Sequence, residues 1–349
     1  MTNNLSERIQ GCLYGVAVGD ALGMPTSFMP PQEIKARYGR IIGFEEPPHD
    51  HIYHAGYRPG RVTDDTEQTI FIARSLIANK RADPLHIAES LLEWFDLVGG
   101  AESKAVGPSS KAALMAIRAG MDLELAGRRG HTNGAAMRIS PVGILHAGHP
   151  ADIEAIVHDV HLVCLPTHGS TLAISGASAL ACAIAQALNE GTLTEIVAAA
   201  RAGAVLGEQT GFPVIGPSVA RRIDLVLEIV GRCPDLEAAA AEVYQIIGAG
   251  VETEQSVPAA IGLFLAGKGD PKDVLLAAVN MGGDCDTVAS MAGALAGAYA
   301  GVERVPVEWT RIVEQVNQLN LVELADELHA ATKWWCASEP MGMPGDVAA

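Results

Sequence analysis

Small residues recur at every fourth position in two stretches of the sequence, and this spacing restricts the fold more than any other feature. In order along the chain, they are Gly11, Gly15, Gly19 and Gly23, and then Ala289, Gly293, Gly297 and Gly301. Both stretches read as helices, so each set would line one side of its helix. Glycine destabilises a helix interior, so the first set indicates that another backbone or a ligand lies close to it. The second set predicts a helix in the packed centre of the protein.

Helical spacing of apolar residues continues along most of the chain, and no segment convincingly alternates with the period of a strand. Abundant alanine and glycine, with only 5% aromatic residues among 349, favour closely packed helices over a β-sandwich. We predict helices over residues 5–22, 31–38, 64–79, 84–98, 109–120, 150–165, 170–188, 193–206, 219–230, 236–248, 256–266, 288–299 and 310–332. A further helical stretch follows Pro141, and the C-terminus ends in a frayed tail.

Composition limits the partners of the chain. The formal net charge of −17 argues against a nucleic-acid backbone, which needs a basic patch on the protein. A phosphorylated small molecule remains compatible, because local donors or a metal ion can hold it. The six cysteines include no CxxC pair, so we expect reduced thiols in the core and no zinc cage.

The termini and the apolar runs predict a cytoplasmic protein without a membrane partner. The N-terminus lacks a hydrophobic region behind a basic start, so we expect no signal peptide. Two weakly polar runs, 170–188 and 288–302, are better explained as buried helices, because the first contains Ser and Gln and the second is too short to span a bilayer.

Two acidic segments far apart in the sequence carry the oxygen ligands that a hard cation prefers. Their residues are Thr63, Asp64, Asp65 and Thr66 in the first segment, and Asp284, Asp286 and Thr287 after the pair Gly282-Gly283 in the second. Neither segment alone offers the roughly six oxygens that such a cation takes, but the two face to face would supply them. The alternative for Asp64 and Asp65 is an ordinary role as acids in the first turn of a helix.

Other polar residues are candidates for the same site. The irregular segment 24–61 leads into the first acidic segment, so we expect it to form a lid or wall. Asp20 either ends a helix turn or supports the site from behind. Asn133-Gly134 is either a simple turn or a set of amides that meets an anionic or hydroxyl-rich ligand at a helix start. His168 either donates to a ligand or caps a helix.

Five motifs, taken in order, resemble those of the ADP-ribosylglycohydrolase family. They are Gly19-Asp20-Ala21-Leu22-Gly23, Thr63-Asp64-Asp65-Thr66, Asn133-Gly134 with Met137-Arg138, Thr167-His168, and Gly283-Asp284-Cys285-Asp286-Thr287. The similarity runs over about residues 9–299. That family includes the dinitrogenase-reductase-activating glycohydrolase and the hydrolases of ADP-ribosyl-arginine and ADP-ribosyl-serine.

The resemblance implies a single all-α domain of orthogonally packed helices over residues 1–335, with a tail over 336–349. It also implies a central cleft that holds two divalent cations, Mg²⁺ or Mn²⁺. The metal ligands would be Thr63, Asp64, Asp65, Asp284, Asp286 and Thr287. Three further residues, Asn133, Gly134 and His168, would line the ADP-ribose site. Either Asp65 or Asp286 would accept the proton of the attacking water.

One position departs from the family pattern. Many members carry a glutamate seven residues after the aspartate that matches Asp20, and in some it takes part in catalysis, but this chain has Ser27 there. The metals and their carboxylates suffice without it, or another acid such as Glu33 replaces it, or the substrate is a different glycoside.

Three functions follow from these patterns. The first is a metal-dependent hydrolase that cleaves the N- or O-glycosidic bond of ADP-ribosylated protein side chains or small ADP-ribosyl conjugates. The second is a hydrolase of nucleosides or related ribosides, which the serine at position 27 leaves open. The third is a catalytically inactive protein that binds ADP-ribose. An inactive relative would be expected to have lost at least one of the six ligands.

Overall fold

The computed structural model describes residues 4–335, and this part of the chain folds into α-helices without any β-strand. The prediction of an all-α protein is therefore confirmed for these residues. The helices of the first half are α1 (Leu5–Gly23), α2 (Pro31–Tyr38), α3 (Asp64–Asn79), α4 (Pro84–Leu97), α5 (Pro108–Arg118), α6 (Leu123–Gly127), α7 (Ser140–Leu145) and α8 (Ile153–His168). The tail predicted over 336–349 lies outside the described residues.

The second half of the chain continues in the same way. Its helices are α9 (Thr171–Leu188), α10 (Leu193–Gly207), α11 (Val219–Arg232), α12 (Leu236–Ile246), α13 (Thr253–Ala266), α14 (Pro271–Asn280), α15 (Cys285–Ala300), α16 (Val307–Asn317) and α17 (Leu321–Trp335). Many of them begin where a side-chain oxygen accepts the free backbone N–H groups of the first turn. Asn4 with Glu7, and Thr192 with Glu195, form complete capping boxes.

The central contact of the fold joins α1 to α15 through the two sets of small residues. A Cβ atom added to Gly15 would lie 2.0 Å from the carbonyl oxygen of Gly293, and one added to Gly297 would lie 1.9 Å from that of Gly11. The backbones therefore touch directly and run antiparallel. At the end of the contact, a Cβ atom on Gly23 would lie 2.5 Å from the Cα atom of Asp286. The glycine spacing that the sequence shows is thus a helix–helix contact that reaches the second acidic segment.

Helix α9 lies in the middle of the protein. It is the one described helix that is long and apolar enough to cross a membrane by length and composition alone, and 89% of its apolar window is buried inside the protein. Small residues on the neighbouring α10 bring the two backbones together, because a Cβ atom on Gly203 would lie 2.6 Å from the carbonyl oxygen of Ser178. The burial of this helix agrees with the sequence prediction.

The single closing helix predicted over 310–332 is wrong. Helix α16 ends at Asn317, the following Gln318 adopts a left-handed backbone conformation (φ 55°, ψ 40°), and α17 begins after a short turn. The side chain of Asn320 accepts the backbone N–H of Glu323 at the start of α17, at 3.2 Å. Helix α14 was not predicted from the sequence; its N-cap Asp270 accepts the N–H groups of Lys272 and Asp273.

The break after α16 fastens the segment that precedes α3. The side-chain amide of Asn317 donates to the carbonyl of Gly60 (2.8 Å), and its oxygen accepts the backbone N–H of Val62 (3.1 Å) and a guanidinium N–H of Arg61 (2.8 Å). The C-terminal helices therefore hold the chain in place just before the first acidic segment.

We expect Gly15→Ala to destabilise the protein by about 3 kcal/mol or more, because its methyl group has no room against Gly293. Denaturant unfolding measures this change. Gly231→Ala is the matched control, since this helical glycine faces open space, and we expect a gain of about 0.5 kcal/mol. A Gly15→Ala protein as stable as the parent would contradict the close contact.

Candidate active site

Asp20, near the end of α1, holds the first acidic segment. Its carboxylate is fully buried and accepts the backbone N–H (2.9 Å) and hydroxyl (2.8 Å) of Thr63, together with the backbone N–H (3.2 Å) and hydroxyl of Thr66. Thr63 stands at the N-cap position of α3, but its side chain makes no cap bond and donates to Asp20 instead. Asp20 therefore fixes where α3 begins, in the supporting position that the sequence left open.

The second acidic segment is shaped by two glycines ahead of α15. Gly282 and Gly283 have φ angles of 93° and 85°, which side chains rarely adopt. The backbone of Gly283 donates to Met29 (2.9 Å), and that of Asp284 donates to Ala249 (2.6 Å). These bonds set the direction in which the chain enters α15. The carboxylates of its first turn are oriented as a result.

The structure brings the two acidic segments together. The hydroxyl of Thr287 donates to Asp65 Oδ2 at 3.4 Å, and the hydroxyl of Thr63 lies 3.5 Å from the same oxygen. The other oxygen of this carboxylate, Asp65 Oδ1, is buried and has no hydrogen-bond partner. An ionised oxygen without a partner is costly in the interior, so Asp65 requires a positive charge nearby or a proton.

A cavity of about 250 Å³ opens over these residues. Of the six predicted metal ligands, it is lined by Asp64, Asp284, Asp286 and Thr287. The remaining two, Thr63 and Asp65, are buried and do not line it.

Of the three predicted substrate-binding residues, two line the cavity and one does not. Asn133 and Gly134 line the cavity, and the Asn133 side chain donates to Asp284 Oδ2 at 2.6 Å. His168 is fully buried outside the cavity lining. A Cβ atom on Gly134 would lie 2.9 Å from the His168 ring, whose Nε2 contacts the Thr132 hydroxyl at 3.1 Å. His168 therefore supports the cavity wall from behind.

The crowding of acids controls their protonation. Burial raises the pKa of Asp20 to about 7, against the hydrogen bonds from Thr66 and Thr63, and the nearby charge of Asp286 adds to the rise. Burial and the charges of Asp286 and Asp20 raise the pKa of Asp64 to about 8. Burial, followed by the neighbouring carboxylates, raises the pKa of Asp65 well above its usual range.

One buried cation stands behind the acids. Arg138 is fully buried and donates to Gln68 Oε1 and to the hydroxyl of Thr167. Gln68 in turn donates to Asp64 Oδ2 at 3.3 Å. Burial lowers the pKa of Arg138 to about 10, so the guanidinium stays charged at neutral pH. Hydrogen bonds through Gln68 link the guanidinium to Asp64, and the guanidinium itself donates to none of the acids.

The donor set fits hard divalent cations. Carboxylate and hydroxyl oxygens are the ligands that Mg²⁺ and Mn²⁺ prefer, and the unpartnered Asp65 Oδ1 is an oxygen of this kind. Among residues 4–335, no three carboxylates, imidazoles or thiolates already form a closed cage. Threonine hydroxyls and water would therefore have to complete the coordination.

Ser27, which stands where many family members have a glutamate, contacts one of these acids. The hydroxyl of Ser27 donates to Asp286 Oδ1 at 2.7 Å, and the serine is 1% exposed. Glu33 forms a partly exposed ion pair with Arg37 on α2, at 2.8 Å, and does not line the cavity. Glu33 is therefore not the replacement for the missing glutamate.

Several residues that line the cavity were not predicted from the sequence. Tyr53 and His54 come from the irregular segment between α2 and α3, which is a wall of the cavity as predicted. Phe28 adjoins them, and Lys104 is the one Lys or Arg side chain among the lining residues. The run of three histidines and one tyrosine over residues 49–54 was the available signal, but its placement depends on the tertiary fold.

The sequence as a whole matches known proteins of one kind. A model of the ADP-ribosylglycohydrolase family matches residues 1–338. The chain belongs to the ADP-ribosylglycohydrolase family. Members of this family are hydrolases of ADP-ribosyl glycosides, so the coarse reaction class follows from membership.

Individual relatives of this ADP-ribosylglycohydrolase chain span nearly its whole length. The Escherichia coli K12 protein called uncharacterized protein YegU is 36% identical over 324 residues, which cover 93% of this chain and 96% of that one. The ADP-ribosyl-[dinitrogen reductase] glycohydrolase of Rhodospirillum rubrum is 29% identical, covering 88% and 90%. Mouse ADP-ribosylhydrolase ARH3 is 25% identical, covering 92% and 91%.

A solved structure has the same fold. It is described as an ADP-ribosylglycohydrolase-related protein complex, and it superposes with a TM-score of 0.71 at 25% sequence identity. The match covers 94% of this chain and 99% of that one. The all-α architecture is therefore that of the family.

Without divalent cations, we expect the protein to lose stability as the pH rises. A carboxyl group with a higher pKa in the folded state binds its proton more tightly there. This stabilisation is complete below the ordinary value of 3.8, and it is lost as the pH approaches about 7 for Asp20 and about 8 for Asp64. Urea unfolding in EDTA at about pH 5 and about pH 9 measures the difference.

The matched variants are Asp64→Asn, which should flatten this pH dependence, and Asp273→Asn, which should leave it unchanged. Asp273 also lies in the first turn of a helix, but it is exposed. Greater stability at high pH in the parent protein would show that the acids are not held as described.

Proposed function

We propose that this chain is a metal-dependent glycoside hydrolase that releases ADP-ribose from a modified protein side chain or a small ADP-ribosyl conjugate. One observation carries the proposal: carboxylates from the starts of two helices, α3 and α15, meet at one cavity in a protein of this family. The retention of all six predicted ligands favours an active enzyme over an inactive binder of ADP-ribose. We expect neither a nucleic acid nor a membrane as partner, and we place the protein in the cytoplasm.

The cofactors would be two divalent cations, Mg²⁺ or Mn²⁺. The residues that would hold them are Thr63, Asp64, Asp65, Asp284, Asp286 and Thr287. Bound there, the cations would supply Lewis acidity toward the ribose hydroxyls and the attacking water. They would also offset the burial and the mutual repulsion that raise the pKa values of Asp64 and Asp65.

The proton of the attacking water would pass to Asp286. The water oxygen forms a bond to C1′ as the glycosidic bond breaks, and the electron pair of that bond leaves with the side-chain nitrogen or oxygen. Asp286 lines the cavity, whereas Asp65 does not, so Asp286 is the better placed of the two candidates. The Ser27 hydroxyl holds Oδ1 of Asp286. Oδ2 of Asp286 would then accept the proton.

The ADP part of the substrate would lie against the polar side of the cavity. Lys104 and Ser110 line the cavity there, and α5 begins at Pro108 with its N-terminus among the lining residues. Backbone N–H groups at a helix start and a lysine are typical partners of a diphosphate. Asn133 and Gly134 continue this wall, and His168 keeps Thr132 in position.

A second candidate function is the hydrolysis of nucleosides or related ribosides. The observation that favours it is the short side chain at position 27, which leaves the cavity without the glutamate found in many family members. The same acids would then hold a ribose that carries no diphosphate. The two functions differ in the product that is released.

We expect ADP-ribose to be released only when Mg²⁺ or Mn²⁺ is present. The assay is hydrolysis of ADP-ribosyl-arginine, ADP-ribosyl-serine and a panel of plain nucleosides, each with and without the cations. Release of free base from the nucleosides alone would support the second function. An absence of turnover combined with a higher melting temperature in ADP-ribose would overturn both and leave a binding protein.

We expect Mn²⁺ to raise the melting temperature more at about pH 8 than at about pH 5, because cations compete with the protons on the acids. Asp64→Asn and Asp286→Asn should each remove most of this shift and lower the turnover by about 100-fold or more. Asp273→Asn should keep both. If the two site variants bind Mn²⁺ as the parent does, the acidic segments do not form the metal site.

A further inference from the structure

Two aromatic side chains stand exposed at the cavity, and the reaction described above does not use them. Phe28 is 45% exposed and Tyr53 is 38% exposed, and their ring centroids are 4.8 Å apart with the planes inclined at 55°. Both rings line the cavity together with the acids. Exposed aromatic faces that line a concave site are usually covered by a ligand.

The chain holds Phe28 in an unfavourable backbone conformation. A turn closes from the N–H of Met29 to the carbonyl of Thr26 at 3.1 Å, with Ser27 at φ −54° and ψ 133° and Phe28 at φ 64°. These angles describe a type II turn, whose third position favours glycine. A bulky residue there is strained, and such strain is concentrated at functional sites.

A second bond keeps the strained residue at the cavity. The backbone N–H of Phe28 donates to the carbonyl of Gly283 at 2.6 Å, directly before the second acidic segment. The preceding residue, Ser27, contacts Asp286 through its hydroxyl. The aromatic pair is therefore next to the carboxylate that we place at the reacting centre.

His54 adds one hydrogen-bonding atom to this wall. It lines the cavity, and its Nδ1 faces the carbonyl of Met24 at 3.2 Å, so Nδ1 carries the hydrogen. In the neutral ring the other nitrogen, Nε2, is then an acceptor. It has no hydrogen-bond partner within residues 4–335, and the ring of His51 stacks on this ring at 4.9 Å.

The chemistry of the two walls distinguishes the two groups attached to a bound ribose. The diphosphate on C5′ requires cations and N–H donors, which Lys104, Ser110 and the start of α5 provide. The aromatic wall contains no Lys or Arg side chain. Because Ser27 and Phe28 contact the second acidic segment, where C1′ would be attacked, the group that this wall meets is the leaving group on C1′ and not the adenine at the far end of the diphosphate.

We propose that Phe28, Tyr53 and His54 form the subsite for the leaving group, and that this subsite selects a planar nitrogen group over a tetrahedral one. A planar group is the guanidinium of arginine or a heteroaromatic base, either of which lies flat on an aromatic ring and can donate an N–H to His54. The proposal rests on the proposed function, because it takes the ribose to be bound at the acids.

The first test compares leaving groups in two variants of one residue. Tyr53→Leu removes the aromatic face, whereas Tyr53→Phe keeps it and is the matched control. We expect Tyr53→Leu to lower kcat/KM about tenfold for ADP-ribosyl-arginine or for nucleosides, with ADP-ribosyl-serine changed less than about twofold. Loss on the first substrate identifies the guanidinium as the natural group, and loss on the nucleosides identifies a base. Equal losses on all substrates would overturn the proposal.

The second test is independent of turnover. Calorimetric titration measures the binding of methylguanidine, adenine and butylamine to the full chain in Mn²⁺ with ADP-ribose present. We expect one planar compound to bind more tightly than butylamine, and Tyr53→Leu to reduce this preference about tenfold while Tyr53→Phe keeps it. Phe28→Gly, which suits the turn and should fold, is expected to act as Tyr53→Leu does.

The two tests separate the subsite from the proposed function. If no substrate releases ADP-ribose but the planar compounds show this preference, the function fails and the subsite stands. If ADP-ribose is released but none of the variants changes the preference, the function stands and the subsite is wrong.

Discussion

The direct backbone contact between α1 and α15 is the constraint on which the rest of the structure depends. It requires glycine on both helices, because even a methyl group at Gly15 would overlap the carbonyl of Gly293. The contact aligns Asp20 of one helix with Asp286 of the other. Asp20 then accepts four hydrogen bonds from the start of α3 and so fixes where that helix begins. One packing contact thereby sets the relative position of both acidic segments.

This arrangement is electrostatically unfavourable, because it brings buried carboxylates close together. Several carboxylates share one cavity, and the buried Arg138 donates to none of them but is linked to Asp64 by hydrogen bonds through Gln68. The backbone at the cavity also departs from the usual preference of a residue type for its conformation, since Phe28 occupies a turn position that suits glycine. Conflicts of this kind tend to gather where a protein carries out its function, because elsewhere selection for stability removes them.

Much of the fold could be predicted because its signals are local, whereas parts of the site could not. Asp64 follows a clear helix start, and α3 has its predicted bounds. The break at Gln318 was missed although Asn320 and Glu323 form a recognisable helix-start pair, because amphipathic spacing continues across it. The burial of His168 depends on contacts between distant helices, which spacing along a sequence does not specify.

The bond from Asn317 to Val62 has a consequence for how the chain is made. These residues are 255 positions apart, and the stretch of chain between α1 and α15 is slightly longer. At ~5–20 residues per second, a ribosome would need roughly 13–50 seconds to add the later partner after the earlier one. Throughout that time the glycine face of α1 lacks its partner, and the acids remain in water, where ionisation costs them little. The nascent protein can therefore assemble its cavity only after α15 has been made, and until then its carboxylates stay hydrated.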